Sequence, residues 1–167
     1  MDRQTEEKMK KHDAKVLFSS KSMEWATPRD FFRKLDKQFN FTLDPCARSH
    51  NAVCPKYFTP EDDGLEQDWS GNVVFVNPPY GRGIGRWVQK AYEEGCKEDT
   101  TVVMLIPART DTRYWHDYAM KSDEVRLIKG RLKFGGGSNS APFPSAVVVF
   151  RNDRGHPVEN PPSLAVM

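Results

Sequence analysis

Val73-Val74-Phe75-Val76-Asn77-Pro78-Pro79-Tyr80 is the stretch on which the fold turns. Four unbroken apolar residues fit a strand buried on both faces of a sheet. The two prolines have no N–H to donate, so pairing cannot continue through them. The chain must leave the sheet at the strand's carboxyl end, where open α/β sheets place their ligands. Asn-Pro also starts plain surface turns; the apolar strand in front of it argues against a solvated loop.

The flanking segments support the same architecture. After Tyr80, a Gly81-Arg82-Gly83 turn leads to Ile84, Trp87, Val88, Ala91 and Tyr92, which share one helical face, and Gly95 ends the helix. Residues 101–106 form another continuous apolar strand, closed by Pro107. Thr110 or Asp111 can cap a third helix carrying Tyr114, Trp115, Tyr118 and Ala119 on one face. Residues 125–128, 132–134 and 146–150 read as strands, with a Gly-rich loop at 135–137. Upstream, Thr27-Pro28-Arg29-Asp30 reads as a helix start, with Thr27 as cap and Pro28 in the first turn. Phe31, Phe32, Leu35 and Phe39 follow as an apolar stripe, and Phe41-Thr42-Leu43-Asp44 is a short strand stopped by Pro45.

Residues 45–72 are irregular, with room for at most one short strand and one short helix. Residues 1–22 are charged and polar and read as a mobile arm; residues 151–167 are polar and Pro-rich and read as a frayed tail. The alternation predicts one α/β domain over residues 23–150, a mostly parallel sheet with an antiparallel hairpin at one edge.

A length of 167 residues suits one domain with a real core, and 38% hydrophobic residues with 10 Phe argue against disorder. The net charge of +2 neither requires nor excludes a polyanionic partner, so any basic surface must be local. No apolar run approaches membrane-spanning length, so no membrane role is expected. An odd count of 3 Cys behind a polar N-terminus predicts free thiols and a cytoplasmic setting. Cys46, His50 and Cys54 recur every four residues, which would place them on one helix face. With Cys96 they could hold zinc; buried or incidental thiols are the competing reading.

The chemistry centres on Asn77. An Asn held rigidly at a strand end can hold a planar exocyclic amine by hydrogen bonds, while the ring of Tyr80 stacks on the base that carries it. The Asn77 side-chain oxygen and the Pro78 carbonyl can each accept one N–H, a positioning role that requires no metal.

Asn77-Pro78-Pro79-Tyr80-Gly81 does not stand alone. Trp25-Ala26-Thr27-Pro28, Phe41-Thr42-Leu43-Asp44-Pro45-Cys46-Ala47, Tyr57-Phe58-Thr59, Asp63-Gly64-Leu65, Asp68-Trp69 and Gly130-Arg131-Leu132-Lys133-Phe134 accompany it. In this order the blocks resemble the small phage-type DNA N6-adenine methyltransferases, the phage Dam family, over roughly residues 23–150. The resemblance implies a trimmed class I, Rossmann-like methyltransferase fold, with S-adenosylmethionine as cofactor and DNA, double-stranded and flipped at the target adenine, as substrate. No obligate protein partner is implied, and the setting is a bacterial cell or phage-infected host. Asp44 and Pro45 would lie at the methionine part of the cofactor. Trp25, Thr27 and Pro28 would form an N-terminal cofactor motif, where a helix start favours the methionine carboxylate.

One departure stands out. The Gly-x-Gly that follows Asp-Pro in larger relatives is missing from Asp44-Pro45-Cys46-Ala47-Arg48-Ser49. Asp62 or Asp63 could accept the ribose hydroxyls, or belong to a solvated acidic loop. For the target, Tyr80 stacks on the base, Phe134 is the opposite wall or a core residue, and Asp68 with Trp69 lies beside the adenine or cofactor unless Trp69 is core. Arg82, Arg86, Arg109, Arg113, Arg131 and Lys133, with Lys129, could neutralise phosphates, or any one could be ordinary surface charge. Two alternatives remain open: methylation of RNA adenine or a protein glutamine amide, and an idle nucleic-acid-binding module on the same fold.

Overall fold

The protein is seen in a computed structural model that describes residues 25–136, 139–151 and 161–167. The arm expected over residues 1–22 lies outside the described residues.

Helix α1, Arg29–Phe39, buries Leu35 and leans Phe31, Phe32 and Phe39 on the core. It ends at Asn40, whose left-handed backbone (φ 55°) lets its N–H donate to the Asp36 carbonyl. Pro28, rather than Thr27, sits at the cap position, and no side chain caps the helix. The Thr27 hydroxyl is engaged elsewhere, as described below. Strands β1, Leu43–Asp44, and β2, Lys56–Tyr57, follow, then β3, Val73–Val76, and helix α2, Ile84–Gly95. Strand β4, Thr101–Pro107, leads to the short helix α3, Arg113–Asp117, with Tyr114 and Trp115 buried. Strands β5, Glu124–Leu127, β6, Ser145–Arg151, and β7, Ser163–Val166, complete the chain.

The sheet order is β2-β1-β3-β4-β6-β5-β7. Strand β6 pairs antiparallel with both β4 and β5, and every other pairing is parallel. β6 alone therefore runs against the rest. The expected α/β class is present, with the reversed strand inside the sheet rather than at its edge. β4 and β6 are in register from Thr101↔Arg151 to Pro107↔Ser145 and almost wholly buried, as unbroken apolar runs require.

Three local expectations fail. Residues 151–167 are not simply a tail: Ser163–Val166 adds to the sheet edge, with Val125↔Leu164 in register. This strand owes its pairing to β5, a non-local contact that its Pro-rich surroundings conceal. Residues 132–134 are not a strand; Phe134 opens a single 3-10 turn with Gly135 at φ 67°. Cys46, His50 and Cys54 share no helix face, because residues 45–55 form turns. Both oxygens of Asp44 accept backbone N–H groups there, from Cys46 at 3.2 Å and Val53 at 3.2 Å, and so gather the loop around one carboxyl. No group of three or more metal-binding side chains occurs among the described residues, and none of their helices is long and apolar enough to cross a membrane.

Helix α2 lies against the sheet so closely that Gly95 has no room for a side chain. A Cβ there would sit 2.5 Å from Phe150 Cβ and 3.2 Å from the Phe150 carbonyl. Gly95→Ala should therefore lower unfolding free energy by about 1–3 kcal/mol in urea titrations, through overpacking.

Candidate active site

A cavity of about 380 Å³ opens at the carboxyl ends of β1, β2 and β3. Its floor includes Phe75 of β3 and Asp44 of β1; its walls include Trp87 of α2, Ala47 and Val53 from the loop after β1, and Pro60 and Asp63 after β2. β1 has β2 on one side and β3 on the other. The connections diverge at that point, as in the ligand crevices of open α/β sheets. The volume falls within the roughly 300–1,000 Å³ of small-molecule sites.

Asn77 stands at the rim of this cavity. Its Nδ2 donates to the Trp25 carbonyl and, at 2.9 Å, to the Thr27 hydroxyl. Both N–H bonds thus go to the segment entering α1. The other side-chain atom, Oδ1, is buried with no hydrogen-bond partner. A buried amide oxygen without a donor costs about 1–3 kcal/mol, so it marks a place where a donor is missing.

Asp44 is 5% exposed. Burial pushes its carboxyl up to about 6, and the N–H bonds from Val53 and Cys46 only partly offset this. Gly64, packed against Pro45, completes the wall. A Cβ at Gly64 would fall 1.9 Å from the Pro45 carbonyl oxygen and 3.1 Å from Trp87, so only glycine lets the two loops meet. The Gly64 carbonyl accepts the Trp69 indole N–H at 2.9 Å. Trp69 is fully buried, its backbone N–H donating to the buried Glu94 carboxylate at 3.1 Å.

The sequence-predicted residues divide accordingly. Trp25, Thr27, Asp44, Pro45, Asp63, Asn77, Pro78 and Pro79 all line the cavity; Pro28 adjoins it as the cap of α1. Asp62 is engaged by the backbone and hydroxyl of Thr59, which hold its carboxyl below the usual range, while Asp63 faces the cavity. Asp68 is not brought to the site. It pairs with Lys97, beyond the end of α2, at 3.0 Å and caps Ser70. That is the amino end of β3, and Asn77 leaves the carboxyl end, about 13 Å along the strand. Trp69 is likewise core.

Tyr80 is 7% exposed, its hydroxyl donating to the Leu105 carbonyl at 3.3 Å. Its ring meets the edges of Phe143 at 5.4 Å and Phe134 at 6.2 Å, and Trp25 adds its own edge contacts to both. Phe134 belongs to this aromatic cluster and is itself buried. Phe143, Trp87 and Gly64 are not among the sequence-predicted site residues, although Trp87 is placed on the apolar face of its helix. The block Asp63-Gly64-Leu65 signalled Gly64, whereas nothing local distinguishes Phe143.

Arg82, Arg86, Arg109, Arg113, Arg131 and Lys133 are all exposed. They follow β3, β4 and β5, which are mutually parallel in direction, and so leave from the same end of the sheet as Asn77. Arg131 also donates to the Ala141 carbonyl at 3.4 Å.

Fold and cavity define a Rossmann-like α/β architecture with a cavity of small-molecule size at its topological switch point. The sequence model described as DNA N-6-adenine-methyltransferase (Dam) matches residues 14–159, and the chain belongs to that family. It is 33% identical over 114 residues to a DNA N-6-adenine-methyltransferase of Haemophilus phage HP1, covering 66% of this chain and 65% of that protein. It is 31% identical over 110 residues to a DNA N-6-adenine-methyltransferase of Escherichia phage T1, covering 65% of this chain and 45% of that protein. The chain thus spans less than two thirds of the length of either phage relative.

The displaced carboxyl of Asp44 has a measurable consequence. Its folded value, about 6, lies above the ordinary 3.8, so the folded chain retains a proton that the unfolded chain has lost. Asp44's contribution to stability is intact below pH ~4 and declines as pH rises to ~6, by on the order of 3 kcal/mol. Urea unfolding from pH 4 to 7.5 should show this decline relative to Asp44→Asn, in which it is absent.

Proposed function

We propose that this protein transfers the methyl group of S-adenosylmethionine to the N6 amine of adenine in double-stranded DNA. The single observation that carries the proposal is the buried, partnerless Oδ1 of Asn77 beside a cavity at the switch point. The residues fit the cofactor: Asp44 offers a buried carboxyl to an ammonium group, Asp63 a carboxylate to hydroxyls, and Phe75 and Trp87 apolar faces to a ring. Thr27 and Pro28, at the start of α1, suit a carboxylate. When bound, S-adenosylmethionine supplies an activated methyl group.

The chain itself holds the amine. Adenine N6 is a poor nucleophile because its lone pair is delocalised into the ring. Asn77 Oδ1 and the Pro78 carbonyl each accept one of its N–H bonds, which favours a pyramidal nitrogen with its lone pair freed from the ring. The two prolines keep both acceptors in a fixed frame, so catalysis draws on positioning. An adenine in duplex DNA is stacked, and extruding it costs a few kcal/mol. Stacking on Tyr80 returns about 1–3 kcal/mol, once Phe134 and Phe143 shift from the ring they now cover. The exposed arginines and Lys133 at this end of the sheet neutralise phosphates; Asp68, at the other end, takes no part.

Incubation with radiolabelled S-adenosylmethionine and, in separate reactions, unmethylated duplex DNA, RNA and protein should label the DNA, and nucleoside analysis should yield N6-methyldeoxyadenosine. Label appearing instead only in RNA or in protein would replace the proposed substrate, and failure of the cofactor to bind in calorimetry would leave an idle binding module. Asn77→Ala should abolish transfer while thermal unfolding stays near that of the parent chain. Arg86→Ala combined with Arg109→Ala should weaken DNA binding uniformly across sequences and reduce the salt slope by about 2.

A further inference from the structure

We infer that residues 25–27 act as an orientation latch on Asn77, with the Trp25 carbonyl dictating which way the amide faces and Thr27 holding it there. The inference rests on the methyl-transfer reading for its kinetic consequences, and on geometry alone for the latch itself.

An amide side chain can sit in two orientations that exchange oxygen for NH2. Only one supports the chemistry, because an NH2 group directed at the substrate amine would oppose donor to donor. The Trp25 carbonyl resolves the choice. It can accept but never donate, so the Asn77 atom facing it must be Nδ2. Thr27 is ambivalent on its own, since a hydroxyl can donate or accept; here its Oγ1 accepts the second Nδ2 proton at 2.9 Å. That leaves the single Thr27 O–H proton available to another acceptor. The outcome is the buried, partnerless Oδ1.

The latch is itself anchored. The Ala26 carbonyl accepts the Gly135 N–H at 2.9 Å. The Trp25 ring rests edge-on against Phe143 at 5.3 Å and Phe134 at 5.6 Å. The segment that directs the catalytic amide is thereby tied to the turn beginning at Phe134.

The latch distinguishes two substitutions that simple acceptor chemistry would treat alike. Asn77→Asp keeps an oxygen for the substrate amine. It also places a second oxygen against the Trp25 carbonyl, acceptor to acceptor, with no proton between them. Single-turnover methylation by Asn77→Asp at neutral pH should be roughly ten- to a hundredfold slower than the parent. The deficit relative to the parent should shrink as pH falls and the new carboxyl gains a proton for Trp25. Asp44, Asp63, Arg48 and Cys46 line the same cavity and are present in both proteins, so the parent's own pH profile is the reference.

Thr27→Val should slow single-turnover transfer, measured at saturating S-adenosylmethionine, roughly two- to tenfold, and Thr27→Ser should restore the rate. The same variants report without activity. The Asn77 side-chain NH2 signals in 15N NMR, assigned by their loss in Asn77→Asp, should shift in Thr27→Val and return in Thr27→Ser. A parental rate for Asn77→Asp at neutral pH, or unmoved NH2 signals in Thr27→Val, would overturn the latch. Loss of cofactor affinity with an unchanged transfer rate in Thr27→Val would do the same, making Thr27 a cofactor residue only. A parent chain that methylates nothing, yet shows the NH2 shifts, refutes the methyl-transfer reading and leaves the latch standing.

Discussion

Two successive residues without an N–H end the pairing of β3, and the side chain just before them is bonded to the chain entering α1. The remainder of the site follows from that junction. Because the backbone cannot rejoin the sheet at Pro78 or Pro79, Asn77 is held at the rim of the crevice. Because its amide nitrogen is bonded to Trp25 and Thr27, residues fifty or more positions apart in sequence form one wall. The opposite wall is arranged with the same economy, one buried carboxyl gathering the loop after β1 through two backbone N–H groups.

Charge is distributed between the two ends of the sheet. At the amino ends, Glu94 accepts from Lys90 at 2.6 Å, from Lys97 at 2.9 Å and from the backbone of Trp69. Lys90 also lies over the Trp69 ring, 5.4 Å from its centre. This buried, multiply bonded carboxylate fixes Trp69, and Trp69 in turn fixes Gly64 at the cavity wall. At the carboxyl ends, Arg82, Arg86, Arg109, Arg113, Arg131 and Lys133 are exposed. One end is stapled by ion pairs and the other carries a group of exposed basic side chains, although the whole chain is nearly neutral with a net charge of +2.

Much of this was legible in the sequence because the signals were local. The continuous apolar runs located β3 and β4, and the helical stripes located α1 and α2. The Asn-Pro-Pro junction, and Asp44 at a strand end before Pro45, pointed to the sheet end where the cavity lies. What escaped depended on distant partners. β7 is a strand only because β5 offers it an edge. The reversed position of β6 depends on pairing between residues some forty-five apart. The four-residue spacing of Cys46, His50 and Cys54 suggested a helix, but residues 45–55 form turns and bends, with the Cys46 and Val53 N–H groups donating to the Asp44 carboxyl. Asp68-Trp69 was matched as a block to the target site, yet the block's contribution is made through Trp69, from within the core.

The place of β6 between β4 and β5 also constrains how the chain is assembled during synthesis. Until residues 145–151 have been made, β4 presents an open apolar flank and β5 has no neighbour through which to join the sheet. The first half can gather its local helices early, but closure waits for a late segment that must insert between two earlier ones. Such a topology folds slowly for its size and leaves a nascent chain with a sticky margin, one that a chaperone, rather than the sequence itself, is suited to shield.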